Sequence, residues 1–131
     1  VLKVRWLNDQ QLINQFIYDV RIFCGPIEIK GSGFVDTGNH LIDEKTALPI
    51  MMVPKEMFCK ESMEDFLMKH RISSWSTSYS VINDDQQHLL VFKPTLLLIN
   101  DQVVRNVLIG VVENQFYEYD FLLQPSMVRS I

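Results

Sequence analysis

The sequence predicts a mostly β fold, a small closed β-barrel with one or two short helices. Apolar and polar side chains alternate with period 2 along much of the chain, which is typical of half-buried strands. Turn-forming pairs such as Gly25-Pro26 and Asn100-Asp101 separate these segments. The 131 residues are 47% hydrophobic and include 8 Phe, enough for one core, because a domain of this size buries about two thirds of its unfolded surface. We therefore expect a single domain over residues 1–131.

Short turns separate the predicted elements, and no linker, internal repeat or low-complexity stretch interrupts them. The elements, in chain order, are strands over 18–24, 27–30 and 49–53, a short helix that begins after Ser62, strands over 75–82 and 88–92 around a turn at 83–85, and strands over 96–99 and 103–112 around a turn at 100–101.

The helix prediction depends on capping. Ser62 is a favoured N-cap residue, and Asp65 three positions later makes this a relative of the capping box. Met63, Phe66 and Leu67 then fall on one helical face. We interpret this methionine and aromatic stripe as core, not as a ligand site.

Asp36-Thr37-Gly38 follows the apolar pair Phe34-Val35 and precedes Asn39. A buried strand running into this triplet is how aspartic proteases present their catalytic carboxylate, so the barrel we expect is of the retroviral- and pepsin-like acid-protease type. Asp36 is the candidate catalytic residue, and Thr37, Gly38 and Asn39 are expected to support its loop. The threonine hydroxyl can bond backbone across a symmetric contact. Glycine permits unusual torsions and leaves room for a substrate.

Acid-protease chemistry needs two carboxylates that share one proton, and the chain has one such triplet. The second aspartate must then come from a second copy of the chain, so the expected active form is a homodimer. Retroviral-type proteases also carry two apolar residues and a glycine late in the chain. Val107-Leu108-Ile109-Gly110 offers that pattern, and Ile109 and Gly110 are predicted to pack behind the Asp36 loop.

A wider resemblance covers nearly the whole chain. Gly33 to Asp43, with Thr46 and Pro49-Ile50 after it, is similar to the sporulation sigma-E factor-processing peptidase family, which has an apolar pair, Asp-(Ser/Thr)-Gly-Asn, a leucine, an acidic residue, a threonine and a proline at this spacing. Leu89 to Pro94 and Tyr119 to Pro125 resemble two later segments of that family. The chain departs from the family pattern at Glu44 and Gln124, where proline and histidine are usual.

The resemblance implies a membrane-associated aspartic endopeptidase that removes the N-terminal propeptide of the sporulation sigma-E precursor in the mother cell. It also implies an N-terminal multi-span membrane region ahead of this domain, which would hold the domain at the cytoplasmic side of the cell membrane. The chain starts at Val1, carries no signal peptide and has no apolar run near the roughly 20 residues that cross a bilayer. We therefore expect a fragment that lacks this region.

Composition excludes several other classes of function. A net charge of -4 gives no support for direct nucleic-acid binding, which normally needs a basic face. The three histidines are scattered without ligand spacing, and Cys24 and Cys59 form no metal or redox motif, so we expect no metal, no cofactor and two free buried thiols. His40 lies close enough to the Asp36 loop to influence it.

Two alternatives stay open at this point. The chain could be a non-catalytic dimerisation or binding module with a retroviral-protease-like fold, or a structural domain whose Asp-Thr-Gly is ordinary turn chemistry. A protease also needs a cover over its substrate. The hairpin over 75–90, with Tyr79 near its tip, is the candidate cover, and a plain surface hairpin is the competing interpretation.

Overall fold

The computed structural model describes residues 16–80, 86–114, 116 and 118–129. Nine strands, one α-helix and two short 3-10 turns make up the regular structure of these residues. The strands are β1 (Ile17–Cys24), β2 (Ile27–Val35), β3 (Ile50–Pro54), β4 (Ser74–Ser80), β5 (Gln86–Phe92), β6 (Leu96–Ile99), β7 (Gln102–Val103), β8 (Leu108–Val112) and β9 (Phe121–Leu123). Helix α1 is Met63–Lys69, and the 3-10 turns are Lys55–Met57 and Pro125–Met127.

Most of the predicted elements are confirmed. The hairpin of β1 and β2, strand β3 and the pair β4 and β5 lie where period-2 alternation placed them. Ser62 caps α1 by accepting a hydrogen bond from the Asp65 N–H, and the predicted helix residues Met63, Phe66 and Leu67 are buried. The turn expected at 83–85 lies outside the described residues.

All nine strands form one sheet, in the order β4-β5-β8-β3-β9-β2-β1-β6-β7. The ladders β2·β9 and β3·β8 are parallel, and the other pairs are antiparallel. The closed barrel expected from the sequence is therefore wrong for the part of the chain described here. Closure needs hydrogen bonds between the two end strands, whereas β4 pairs with β5 and β7 with β6 at opposite ends of the sheet.

The single strand expected over 103–112 was also wrong, because β7 ends at Val103 and β8 begins at Leu108. Asn106, at φ 62, turns the chain between them. Strand β9 was not predicted, although this short strand joins the two halves of the sheet: it pairs with β2 on one side and β3 on the other.

Each face of the sheet carries its own hydrophobic cluster. The larger cluster includes helix α1 and residues such as Phe92, Ile109 and Phe121. The smaller one consists of Ile50, Leu89, Val91 and Leu108, with Leu41, Leu48, Trp75, Tyr79 and Val112 packed against it. Successive side chains of β3, β5 and β8 belong alternately to the two clusters. Because Leu41 and Leu48 pack against the smaller cluster, that cluster lies under the segment that follows Asp36.

Both cysteines are free thiols, as the sequence predicted. Cys24 is buried, and desolvation raises its pKa to about 12. Cys59 is only half-buried, which corrects the expectation that both are buried.

Candidate active site

Asp36 lies directly after the last residue of β2. Val35 pairs with Leu123 of β9, and the Asp36 N–H donates to the Leu123 carbonyl at 3.1 Å. Because β2 and β9 are parallel, both strands end here, and Asp36 stands at their shared carboxyl edge. A two-strand ladder thus fixes the backbone from which the carboxylate projects.

The Asp36 loop (36–39) is a tight turn that orients its own carboxylate. The Gly38 N–H donates to Asp36 Oδ1 at 3.0 Å, and the Asn39 N–H donates to the Asp36 carbonyl at 3.0 Å. Asp36 is half-buried, while Thr37 and Gly38 are exposed. Gly38 does not take the left-handed conformation that glycine permits. That Gly38 leaves room for a substrate to lie close to the loop stays a prediction.

Asn39 fixes the exit from the loop. Its side chain is buried, and Oδ1 accepts a hydrogen bond from the Leu41 N–H at 3.2 Å. Its Nδ2 is buried without a hydrogen-bond partner among the residues that the structure describes. His40, by contrast, is exposed. The Asn39 side chain therefore supports the loop through its Oδ1, beside the bond that the Asn39 N–H donates to the Asp36 carbonyl.

Gln124 supports the segment that follows the Asp36 loop, residues 41–50. The side chain is 4% exposed, and its Nε2 donates to the carbonyls of Leu41 and Ile50, the latter at 3.0 Å. Gln124 directly follows β9, so the strand that receives the Asp36 N–H also positions this amide. The two bonds join the end of β9 to both ends of the 41–50 segment.

Asp43 is the other buried polar residue near the loop, and it is fully inaccessible to solvent. Oδ2 accepts from the Thr46 N–H at 3.0 Å and from the Thr46 hydroxyl at 2.7 Å, which caps the turn at 43–46. Oδ1 accepts from Trp75 Nε1 at 3.2 Å. The Thr77 hydroxyl also acts to lower the pKa of this carboxylate. The turn cap joins residues only three positions apart. The sequence carried no signal of the contact to β4, 32 positions away.

The comparisons with known proteins match nearly all of this chain. A family model of peptidases described as Sporulation factor SpoIIGA covers residues 2–127. The chain belongs to the SpoIIGA family. This confirms the family resemblance carried by the residues around Asp36 and by the two later segments.

A curated relative of this SpoIIGA-family chain is the probable sporulation sigma-E factor-processing peptidase of Clostridium acetobutylicum. The two are 29% identical over 135 residues, which cover 98% of this chain and 48% of the relative. The chain thus spans about half the length of the curated relative that it matches. No solved structure matches the chain. Within the described ranges, no helix is long and apolar enough to cross a membrane.

The pair predicted to pack behind the Asp36 loop lies on β8. Ile109 is fully buried in the larger cluster. A Cβ on Gly110 would stand 2.6 Å from Ile50 Cγ2 and 2.7 Å from Leu89 Cδ2, so this glycine allows β8 to lie close to those side chains. The strand in direct backbone contact with Asp36 is β9, through Leu123. A role of Ile109 and Gly110 in supporting the loop of this SpoIIGA-family member stays a prediction.

A cleft of about 670 Å³ opens where the β4–β5 hairpin and β8 separate. Its lining includes Tyr79, His88, Lys55 and Glu113 and does not include Asp36. The hairpin therefore borders a cleft that Asp36 does not line, and its role as a cover over the substrate stays a prediction. The residues that the structure describes contain no group of three or more His, Cys, Asp or Glu able to hold a metal ion.

Gln124 is expected to be a large contributor to the stability of this region. Gln124→Met keeps the length of the side chain but removes both donated hydrogen bonds, so the free energy of unfolding should fall by about 1–3 kcal/mol. Gln102→Met, on an exposed residue of β7, should change it by less than about 0.5 kcal/mol. Denaturant unfolding of the two variants makes the comparison, and equal effects would contradict the role assigned to Gln124.

Asp43 gives the stability of the chain a defined pH dependence. Burial acts to raise its pKa, but the hydrogen bonds from Thr46, Thr77 and Trp75 outweigh burial and leave the pKa below its ordinary value of 3.8. A carboxyl with a lowered folded-state pKa stabilises the fold above its unfolded-state pKa, and this stability is lost as the pH falls through the folded-state pKa. Unfolding free energy should therefore fall more steeply below about pH 5 in the parent than in Asp43→Asn. Parallel pH profiles would contradict this account.

Proposed function

We propose that this chain is the catalytic domain of an aspartic endopeptidase that works as a homodimer, with one Asp36 from each copy. Membership of a peptidase family supports proteolysis. The geometry of the Asp36 loop supports the aspartic type, because a strand ladder and a glycine N–H orient a single carboxylate at an exposed turn. The observation that carries the proposal is the bond from Gly38 N–H to Asp36 Oδ1 beside the exposed Thr37 and Gly38.

The proposed mechanism follows from placing two such loops face to face. Two adjacent carboxylates cannot both ionise readily, so one Asp36 stays protonated. The ionised Asp36 takes a proton from a water held between them. That water attacks the peptide carbonyl carbon, while the protonated Asp36 donates to the carbonyl oxygen. The tetrahedral intermediate then collapses: the C–N bond breaks, the Asp36 that took the proton of the water gives it to the leaving amine nitrogen, and the other Asp36 recovers its proton from the oxygen. Thr37 and Gly38 take part in no proton transfer.

The exposed positions of Thr37 and Gly38 suit this arrangement. In the single chain their side of the loop is open, which leaves the Thr37 hydroxyl accessible for a contact with the partner's loop. The proposal therefore includes a retroviral-type assembly, in which each chain supplies half of the site and the two-fold axis passes between the Asp36 residues.

The proposed substrate is the precursor of the sporulation transcription factor sigma-E, since the relative is named a sigma-E factor-processing peptidase. Removal of an N-terminal propeptide in the mother cell, with this domain at the cytoplasmic side of a membrane-attached protein, completes the proposal. No part of it calls for a cofactor or for nucleic acid.

The test is cleavage of the purified precursor by the purified chain at high protein concentration. Mass spectrometry should show loss of one N-terminal segment, and Asp36→Asn should leave the precursor whole. Binding of the precursor by both proteins with cleavage by neither would reject the peptidase and favour a non-catalytic binding module.

A further inference from the structure

The buried carboxylate of Asp43 divides its hydrogen bonds between two parts of the fold. Oδ2 receives both bonds from Thr46, three residues away, and these bonds account for the turn at 43–46. Oδ1 receives the indole N–H of Trp75 from β4, 32 positions along the chain. A turn cap needs only the first oxygen. The second oxygen is what requires a further explanation.

Strand β4 depends on this contact because it lies at the end of the sheet and pairs with β5 alone among the described strands. Its outer face carries serines, at Ser74, Ser76 and Ser78, which contribute little apolar burial. Its inner face carries Trp75 and Tyr79, which pack against the smaller cluster with Leu41 and Leu48, and the buried Thr77 between them.

Glu44 adds two bonds to the same strand. Its N–H donates to Thr77 Oγ1 at 3.3 Å, and Ser78 Oγ donates to Glu44 Oε1 at 3.2 Å. Residues 43 and 44 thus contact three positions of β4, at Trp75, Thr77 and Ser78. The donors around Asp43 are neutral, so the contact is a set of hydrogen bonds to a buried charge.

A series of hydrogen bonds along residues 39–43 connects the Asp43 contact with β4 to the Asp36 loop. Asn39 Oδ1 holds Leu41, and the Leu41 carbonyl accepts from Gln124 and from the Ile50 N–H. Two residues later the Asp43 N–H donates to the Leu48 carbonyl at 3.0 Å. The backbone between Asp36 and Asp43 therefore has little freedom to move independently of its neighbours.

We propose that Asp43 is a positioning residue whose carboxylate fixes the β4–β5 hairpin relative to the Asp36 loop. Removal of its contacts to β4 should loosen the hairpin and change its position relative to the Asp36 loop, without removing a group that transfers protons. The effect on catalysis rests on the proposed function, but the effect on the hairpin does not.

Amide hydrogen exchange in the full chain tests the structural part. Asp43→Asn leaves a single side-chain oxygen to accept from both Thr46 and Trp75, and Trp75→Phe removes the indole N–H donor. Each variant should raise the exchange rates of the β4 amides about tenfold or more, since a buried charged acceptor loses a partner. Thr77→Val removes, at nearly constant shape, the hydroxyl that lies beside Asp43 and accepts the Glu44 N–H, and should act in the same direction.

Thr46→Val is the matched control, because it removes a hydroxyl from Oδ2 of the same carboxylate and touches no β4 contact. Exchange in β4 should then stay within about twofold of the parent. Unchanged β4 exchange in folded Trp75→Phe and Thr77→Val, or an equal increase in Thr46→Val, would overturn the proposal. These variants decide the question even if Asp43→Asn does not fold.

Kinetics with the precursor test the catalytic part. Trp75→Phe and Asp43→Asn should lower kcat/KM about tenfold, and their combination should lower it by less than the product of the two effects. The pH profile of kcat/KM should keep its position, because Asp43 transfers no proton. A displaced profile or fully multiplicative effects would contradict positioning. If the parent chain cleaves nothing, the proposed function fails, and the exchange data alone decide the role of Asp43.

Discussion

Replacement of Asp36 by alanine is expected to abolish precursor cleavage and leave the domain folded. Asp36 is the only carboxylate expected to meet its own symmetry mate, so the variant would lose both the general base and the general acid. A loss of at least about a thousandfold in kcat/KM should follow, since each kind of proton transfer contributes about a hundredfold or more.

Asp36→Asn is the more conservative version of this experiment. Its Oδ1 can still accept the Gly38 N–H, so the loop should keep its shape. Asp101→Asn is a suitable control, because the side chain of Asp101 is 89% exposed and its φ of 64° is one that asparagine tolerates. The control should retain full activity. Normal processing by a folded Asp36→Ala chain would end the aspartic-protease hypothesis.

Dilution of the chain, and tethering of two copies, should have the second largest effect on cleavage activity. A site shared between two copies forms only by association, so activity per chain should fall about tenfold for each tenfold dilution below the dissociation constant of the dimer. A flexible linker between two copies sets an effective concentration of about the millimolar range. The tethered pair should therefore keep its specific activity over the same dilution series.

Sedimentation of the free chain beside the cleavage assay connects activity to assembly. The free chain is expected to be monomeric or weakly dimeric in dilute solution and to show little cleavage there. Full activity from a species shown to be monomeric under assay conditions would contradict the shared site.

The sequence predicted most strands because period-2 alternation records which face each residue takes. It could not predict the order of the strands, since alternation does not specify neighbours. Closure into a barrel was inferred from fold type and is not found in the described sheet. Strand β9 was missed because three apolar residues, Phe121–Leu123, are too short to show a period.

In the candidate site, too, the local contacts could be predicted from the sequence and the long-range contacts could not. The Asp36 turn is local, and its position after an apolar pair predicted both the turn and the carboxylate that it carries. Gln124 and Asp43 depend on partners that only the fold brings near: carbonyls 74 and 83 positions away for Gln124, and an indole 32 positions away for Asp43. The sequence held no signal of these long-range partners, because hydrogen bonds between residues so far apart leave no local pattern.

The shared dyad is tested most directly by a tethered pair in which one copy carries Asp36→Asn. Cleavage is measured at a concentration where the untethered chain is inactive, so that pairing between different tethered molecules is negligible. The mutation is placed first in one copy and then in the other. A dyad made of one Asp36 from each copy predicts that either placement lowers activity to the level of the doubly substituted pair. Retention of about half the activity of the parent pair would show that each copy works independently, and would contradict the shared site.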